Sequence, residues 1–263
     1  MRASLLRPAG IVIAGTVFFV AAVLLVTGLA FLNAARSPAV PWFAVVALPV
    51  LFAVVWQVDR RWDIGLRVPP GTRWGLLAAF AVTSMVASHC VLVLEGAAYG
   101  LTRSFEGPPP GVTPFFAEVY WVAVVVGMST ASEVAFRGIL QSRLTPLLGF
   151  WAGLLVPLVV NTLSHRWDGL AERTVGVVCI LFAWGWLRHL AGSLTPTILT
   201  HIAAIFAWDA LLRAVGPWDQ AAMGPGALAL TAATGLSALA ASVWIARELR
   251  APAAPPAPYP AQA

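Results

Sequence analysis

The chain has 263 residues, 60% of them apolar and only 10% charged, with twelve tryptophans and a formal net charge of +5. A soluble two-domain protein needs more charged surface than this, and the basic residues are dispersed between apolar runs, which excludes a nucleic-acid-binding face. Apolar runs of about 20 residues, the length that crosses a bilayer's hydrocarbon, recur along the sequence, so the chain reads as an integral, multi-pass membrane protein.

Taken in order, the expected spans are 10–32, 41–57, 74–98, 114–141, 149–165, 174–190, 194–214 and 226–246. The second, fifth and sixth are short. Met1 to Arg7 leads into an apolar stretch too long for a cleavable signal peptide, and seven further spans follow, so a retained first helix is expected. Residues 1–103 hold the first three helices. Residues 104–113, rich in proline and glycine, read as a loop. Residues 114–250 form a five-helix core, and 251–263 is a Pro/Ala tail expected to be disordered. The fold class is all-α, a membrane bundle of about eight transmembrane helices. No inverted repeat of the kind found in many transporters is visible.

All sixteen basic residues are arginine. Arg2, Arg7, Arg60, Arg61, Arg67, Arg73, Arg137, Arg143, Arg188, Arg247 and Arg250 fall at one set of helix ends. Arg36, Arg103, Arg166, Arg173 and Arg213 fall at the other. The positive-inside rule makes the first set cytoplasmic, with both termini inside. A bacterial inner (plasma) membrane is the expected location.

Within this apolar sequence, the run Ser132-Glu133-Val134-Ala135-Phe136-Arg137-Gly138 places an acid and a base at membrane depth. Such residues are costly there and mark a functional site by default. Glu133 and Arg137 stand at i and i+4, so one can neutralise the other on a shared helix face. The same spacing also suits a purely structural buried ion pair. His165 closes the fifth span, His201 lies inside the seventh, and Asp209 follows it by two turns.

Two histidines and a Glu–Arg pair on three helices point to convergence on one site. Asp209 reads more simply as a charge near the outer end of its span. His89 reads as an interhelical hydrogen-bond partner, and His189 as interfacial. Cys90 and Cys179 read as small apolar residues. Glu95, Glu118, Asp168 and Glu172 sit near span ends, where solvated charges are ordinary.

Counted from the turn at Thr145-Pro146, Ser132 and His165 lie roughly 21 and 28 Å deep at 1.5 Å per residue, close enough to meet. Counted from the loop near Ser193, His201 reaches only about 12 Å by the same rise. That loop must be recessed for His201 to join.

These residues resemble the CPBP family, the CAAX-type prenyl endopeptidases and their bacteriocin-processing or immunity (Abi) relatives. The family pattern is Glu-Glu-x-x-x-Arg, then Phe-x-x-x-His, then His-x-x-x-Asn. Glu133 and Arg137 match the first motif, His165 the histidine of the second, and the run from Gly192-Ser193-Leu194 to His201 the approach to the third. The resemblance covers about residues 114 to 210. It implies a helical bundle enclosing a polar cavity, and it makes Glu133, His165 and His201 the catalytic candidates, with Ser132, Arg137, Asn161 and Asp209 in support.

Three positions depart from the pattern. Ser132 stands where the family has its first glutamate, the base that activates water. Asn161 replaces the phenylalanine of the second motif, and Ile205 the asparagine of the third.

Non-covalent peptide hydrolysis needs a base for water and donors for the oxyanion, and a serine hydroxyl is no such base. Glu133 turned inward, or His165, is the expected substitute. A covalent route through Ser132 lacks a recognisable nucleophile turn.

The leading expectation is an intramembrane endopeptidase acting on a membrane-anchored or lipidated protein or peptide. The alternative is an inactive relative that binds a peptide, toxin or partner membrane protein, and the third is a transporter. Glu133, His165 and His201 are also the candidate ligands for a divalent metal such as zinc, although no compact ligand motif joins them.

Overall fold

In the computed structural model, residues 2–37, 40–103, 113–164 and 171–250 are described. The expected loop at 104–112, His165, Asp168 and the tail at 251–263 lie outside the described residues.

The architecture is all-α. Helices run over Arg2–Arg36 (α1), Trp42–Trp62 (α2), Trp74–Ala98 (α3), Pro114–Glu133 (α4), Ser142–Leu148 (α5), Phe150–Ser164 (α6), Thr174–Ala191 (α7), Thr195–Val215 (α8) and Pro225–Arg250 (α9). A π-helical stretch, Val134–Gln141, joins α4 to α5 without a break. Among the described residues, seven helical units are long and apolar enough to cross a membrane, the α4–α5 unit counting as one. The expected fifth span is α6, an apolar helix described over 15 residues and shorter than the other seven.

The α4–α5 unit is the most buried of the seven, while α8 and α9 turn most of their surface outward. The π segment is the centre of the largest apolar cluster. Val134, Ala135, Phe136, Ile139 and Leu140 pack there against Val26, Leu51, Val55, Ile64 and Leu194, with the Phe19 and Phe136 rings 5.0 Å apart.

Local chemistry starts and stops these helices. Pro114 at the first turn of α4 sacrifices an N–H that has no helical partner anyway, and the Thr113 hydroxyl accepts from Phe116 N at 3.2 Å. Asn33 is fully buried between α1 and α2. Its amide donates to the Ser37 and Val40 carbonyls, and its oxygen accepts from Phe43 N, each at 2.9 Å.

Glu95, read from sequence as an ordinary interfacial charge, reaches from the end of α3 to the start of α7. Its two carboxylate oxygens accept from Val175 N at 2.8 Å and Gly176 N at 2.7 Å. It is therefore a helix cap supplied by another helix. Glu95→Ala is expected to cost about 1 kcal/mol, the usual price of a lost N-cap, with Glu95→Gln milder; denaturant unfolding in detergent reads the difference.

A two-stranded antiparallel ladder, Thr102–Arg103 (β1) with Trp218–Asp219 (β2), ties the end of α3 to the α8–α9 connection. At the other end of the bundle, the α2–α3 connection folds inward. Asp63 ends α2 in the left-handed conformation at φ 45°, which aspartate tolerates better than most residues. Ile64 after it is fully buried. Gly65 O then accepts from Leu194 N at 2.7 Å, and Leu66 O accepts from the Thr195 hydroxyl at 2.6 Å.

Candidate active site

Those two hydrogen bonds recess the loop that carries α8. Gly192 ends α7 at φ 62°, a conformation glycine adopts without steric cost, and Ser193, Leu194 and Thr197 are fully buried beneath the Ile64–Leu66 segment. Gly138 on the π segment allows this approach, because a Cβ there would stand 3.1 Å from Leu194 Cδ2 and 3.3 Å from Ile64 Cβ. The recess that the depth count required is thus present, and His201 reaches Glu133.

Glu133 is fully buried at the end of α4, and His201 on α8 is nearly so. Their side chains meet at 2.9 Å, His201 Nδ1 to Glu133 Oε1. A carboxylate only accepts, so this bond assigns the Nδ1 proton to the imidazole. Arg137 Nη1 lies 3.4 Å from the same oxygen, longer than the 2.7–2.9 Å of a strong charge-assisted bond. The shorter contact of Arg137 is to a backbone group, Nη2 donating to Leu181 O on α7 at 2.9 Å.

Gln141, four residues on, repeats the pattern by donating to Gly185 O at 2.9 Å. Two side chains of the π segment therefore hold α7 at two carbonyls about one turn apart. Helical stretches with widened turns are rare and recur at functional sites.

The indole of Trp184 completes the cluster from α7. Its ring stacks on the His201 ring with centroids 3.8 Å apart and planes 27° apart, and the Arg137 guanidinium lies 5.8 Å from its centroid. Trp184 thus holds the imidazole plane from one face while Glu133 holds it at Nδ1.

Other polar groups on α4 and α8 have unspent hydrogen-bonding capacity. Among the described residues, Glu133 Oε2 and the hydroxyls of Ser129, Thr130 and Thr197 have no hydrogen-bond partner although each is buried. Thr130 precedes Glu133 by three residues and Thr197 precedes His201 by four, so each shares its neighbour's helix face. A second cavity of about 360 Å³ reaches Arg137 from the other side, lined also by Gln141, Ser142, Arg188 and His189.

The other expected residues fall as follows. Ser132 is buried beside Glu133. Asn161 is fully buried on α6, where the Ser164 hydroxyl donates to its backbone oxygen at 2.7 Å. Asp209 lies toward the Trp121 indole on α4 and beside Arg213, two turns from His201. Arg213 in turn pairs with Glu118 at 2.6 Å on an exposed surface.

His89 bonds within its own helix, Nδ1 to Met85 O at 2.8 Å, rather than across helices. Sequence reasoning missed Trp184, Thr130, Thr197 and Gln141. The i+4 relation of Gln141 to Arg137 was a usable signal; nothing local separates Trp184 from Trp186.

Among the described residues, no three His, Cys, Asp or Glu side chains converge to hold a metal ion. Glu133 Oε1 is already engaged by His201 and faced by a guanidinium, which competes with a dication. Catalytic zinc takes three protein ligands; of the three candidates, Glu133 and His201 meet here and His165 lies outside the described residues.

These features define a multi-pass, all-α membrane protein with a buried Glu–Arg–His cluster at the junction of three helices. Residues 114–207 match the family model described as Type II CAAX prenyl endopeptidase Rce1-like, which agrees with the CPBP resemblance of the motifs. The matched segment, about a third of the chain, is similar to that family. It includes Glu133, Arg137, His165 and His201 and stops short of Asp209. No curated protein and no solved structure matches the chain.

Proposed function

We propose that this protein is an intramembrane endopeptidase that hydrolyses a peptide bond of a membrane-anchored or lipidated protein, with Glu133 in place of the absent first glutamate. The observation that carries the reading is the asymmetry of the Glu133 carboxylate. Oε1 is held by His201 and Arg137, while Oε2 is buried and has no partner among the described residues.

In the proposed reaction, water attacks the scissile carbonyl carbon and gives its proton to Glu133 Oε2. The new C–O bond makes a tetrahedral oxyanion, to which the hydroxyls of Thr130 and Thr197 can donate. Collapse breaks the C–N bond, and the proton on Glu133 passes to the departing amine. Arg137 keeps the carboxylate compensated, and Trp184 holds the imidazole plane. His165, assigned by resemblance to the second motif, is proposed to orient the attacking water. The arginine distribution supports an orientation with both termini in the cytoplasm, in a bacterial inner membrane.

The test uses the purified full chain in lipid with a panel of membrane-tethered and lipidated peptides, and mass spectrometry of the products. The expected result is cleavage that falls in His201→Ala and His165→Ala and is unchanged by a chelator. A loss in chelator that zinc restores would overturn the metal-free reading.

A second reading rests on Ser132 and Ile205, which stand where the family has its base and an oxyanion donor. It makes the chain an inactive relative that binds a peptide or partner protein in the same cavity. Silence of the wild type on the whole panel, with turnover in Ser132→Glu, would favour it.

A further inference from the structure

A larger cavity lies away from the Glu133 cluster, on the other face of α7. It is a groove of about 730 Å³ between α3, α6, α7 and α9. Phe80, Val91, Leu158, Phe182, Leu239 and Val243 are among the apolar side chains that line it. Its polar groups are few and internally satisfied. Ser84 donates to Ala81 O, Ser88 to Ser84 O, and Ser242 to Ala238 O. Nothing in the wall is left to recognise a peptide backbone, whereas a hydrocarbon chain needs no partner.

One end of the groove is different. Arg247 and Arg250 both line it there, and neither forms an ion pair with a described carboxylate. Glu248, the nearest acid in sequence, projects about 100° away from Arg247 around α9. Arg250 is held over the Trp186 ring at 4.7 Å, a cation–π contact. Arginines at span ends are ordinary; these two line the mouth of an apolar groove. From Ala232 to Ala246 the groove follows about 21 Å of α9 at 1.5 Å per residue, a length that suits one long acyl chain rather than a compact ligand.

We propose that this groove is a binding site for one anionic phospholipid, with an acyl chain along α3 and α9 and the headgroup phosphate on Arg247 and Arg250. The site is independent of the proposed peptidase activity. Bound lipid would act as a wedge that sets the spacing of α9 from α7, the helix that carries Trp184 and the two carbonyls held by Arg137 and Gln141.

Native mass spectrometry of the full chain in detergent tests this, with phosphatidylglycerol and phosphatidylcholine of identical chains as probes. Phosphatidylglycerol is expected to be retained better by on the order of ten-fold, the scale of two arginines meeting an anionic headgroup. Arg247→Gln/Arg250→Gln is expected to remove that preference, and Leu239→Trp to weaken both lipids.

Cys90 and Cys179, both free and both lining the groove, give a readout that needs no variant. Phosphatidylglycerol should slow their alkylation by N-ethylmaleimide in the wild type more than phosphatidylcholine does. Equal retention of the two lipids, or a preference that survives the double substitution, would overturn the proposal. So would displacement of both lipids alike by a prenylated peptide, which would give the groove to a substrate.

Discussion

Glu133→Gln is expected to lower peptide cleavage by about 10² to 10⁴-fold, the usual contribution of a positioned general base, while the protein stays folded. The amide retains the shape of the carboxylate, and its oxygen can still accept from His201 Nδ1, where the 2.9 Å contact now lies. What disappears is the second oxygen's ability to take a proton from water. Glu133→Asp separates position from charge: it keeps the carboxylate but withdraws it from His201, and a partial loss is expected. Initial rates in lipid, with thermal unfolding of each variant as the control, read both effects. A Glu133→Gln enzyme that cleaves at the wild-type rate would remove Glu133 from the chemistry and leave it as half of a structural ion pair.

Arg137→Met is expected to cost about 3–5 kcal/mol of stability, the penalty for leaving one member of a buried ion pair without its partner. Arg137 is almost fully buried and spends its donors on two tasks, facing Glu133 at 3.4 Å and bonding Leu181 O at 2.9 Å. Methionine fills much of the same space and does neither. Combining it with Glu133→Gln removes the uncompensated charge, so the double variant is expected to be more stable than Arg137→Met alone, by an amount that measures the pair. Unfolding in detergent checks the cycle. Simple additivity of the two single effects would show that Arg137 matters through Leu181 and the packing of α7, with no part in compensating Glu133.

The helices and the Glu133–Arg137 pairing were legible because both follow from spacing: apolar runs of sufficient length, and an acid and a base four residues apart. The meeting of Glu133 with His201 was legible only in part. The motif order suggested it, yet a straight count from Ser193 put His201 too shallow.

The missing information was in Asp63-Ile64-Gly65-Leu66, which reads as a short connection and in fact enters the bundle to accept hydrogen bonds from Leu194 and Thr195. No local periodicity encodes a loop that dips. Glu95 shows the same limit: a charge at a span end looks solvated until α7, 80 residues on, brings two N–H groups to it. Trp184 shows it again, since its value lies in the histidine stacked on it rather than in its own neighbours. Asp209 reads from sequence as an outer-end charge, and the structure places it near Trp121 and Arg213.

The claim at the centre of this account is that Glu133 performs the task of the absent glutamate at position 132. The most direct measurement compares wild type, Ser132→Ala and Glu133→Gln in one lipid preparation, on a single membrane-tethered peptide that the wild type cleaves. The account predicts that Ser132→Ala keeps its rate and Glu133→Gln loses it. Loss in Ser132→Ala with turnover retained in Glu133→Gln would contradict it and move the chemistry to the serine hydroxyl.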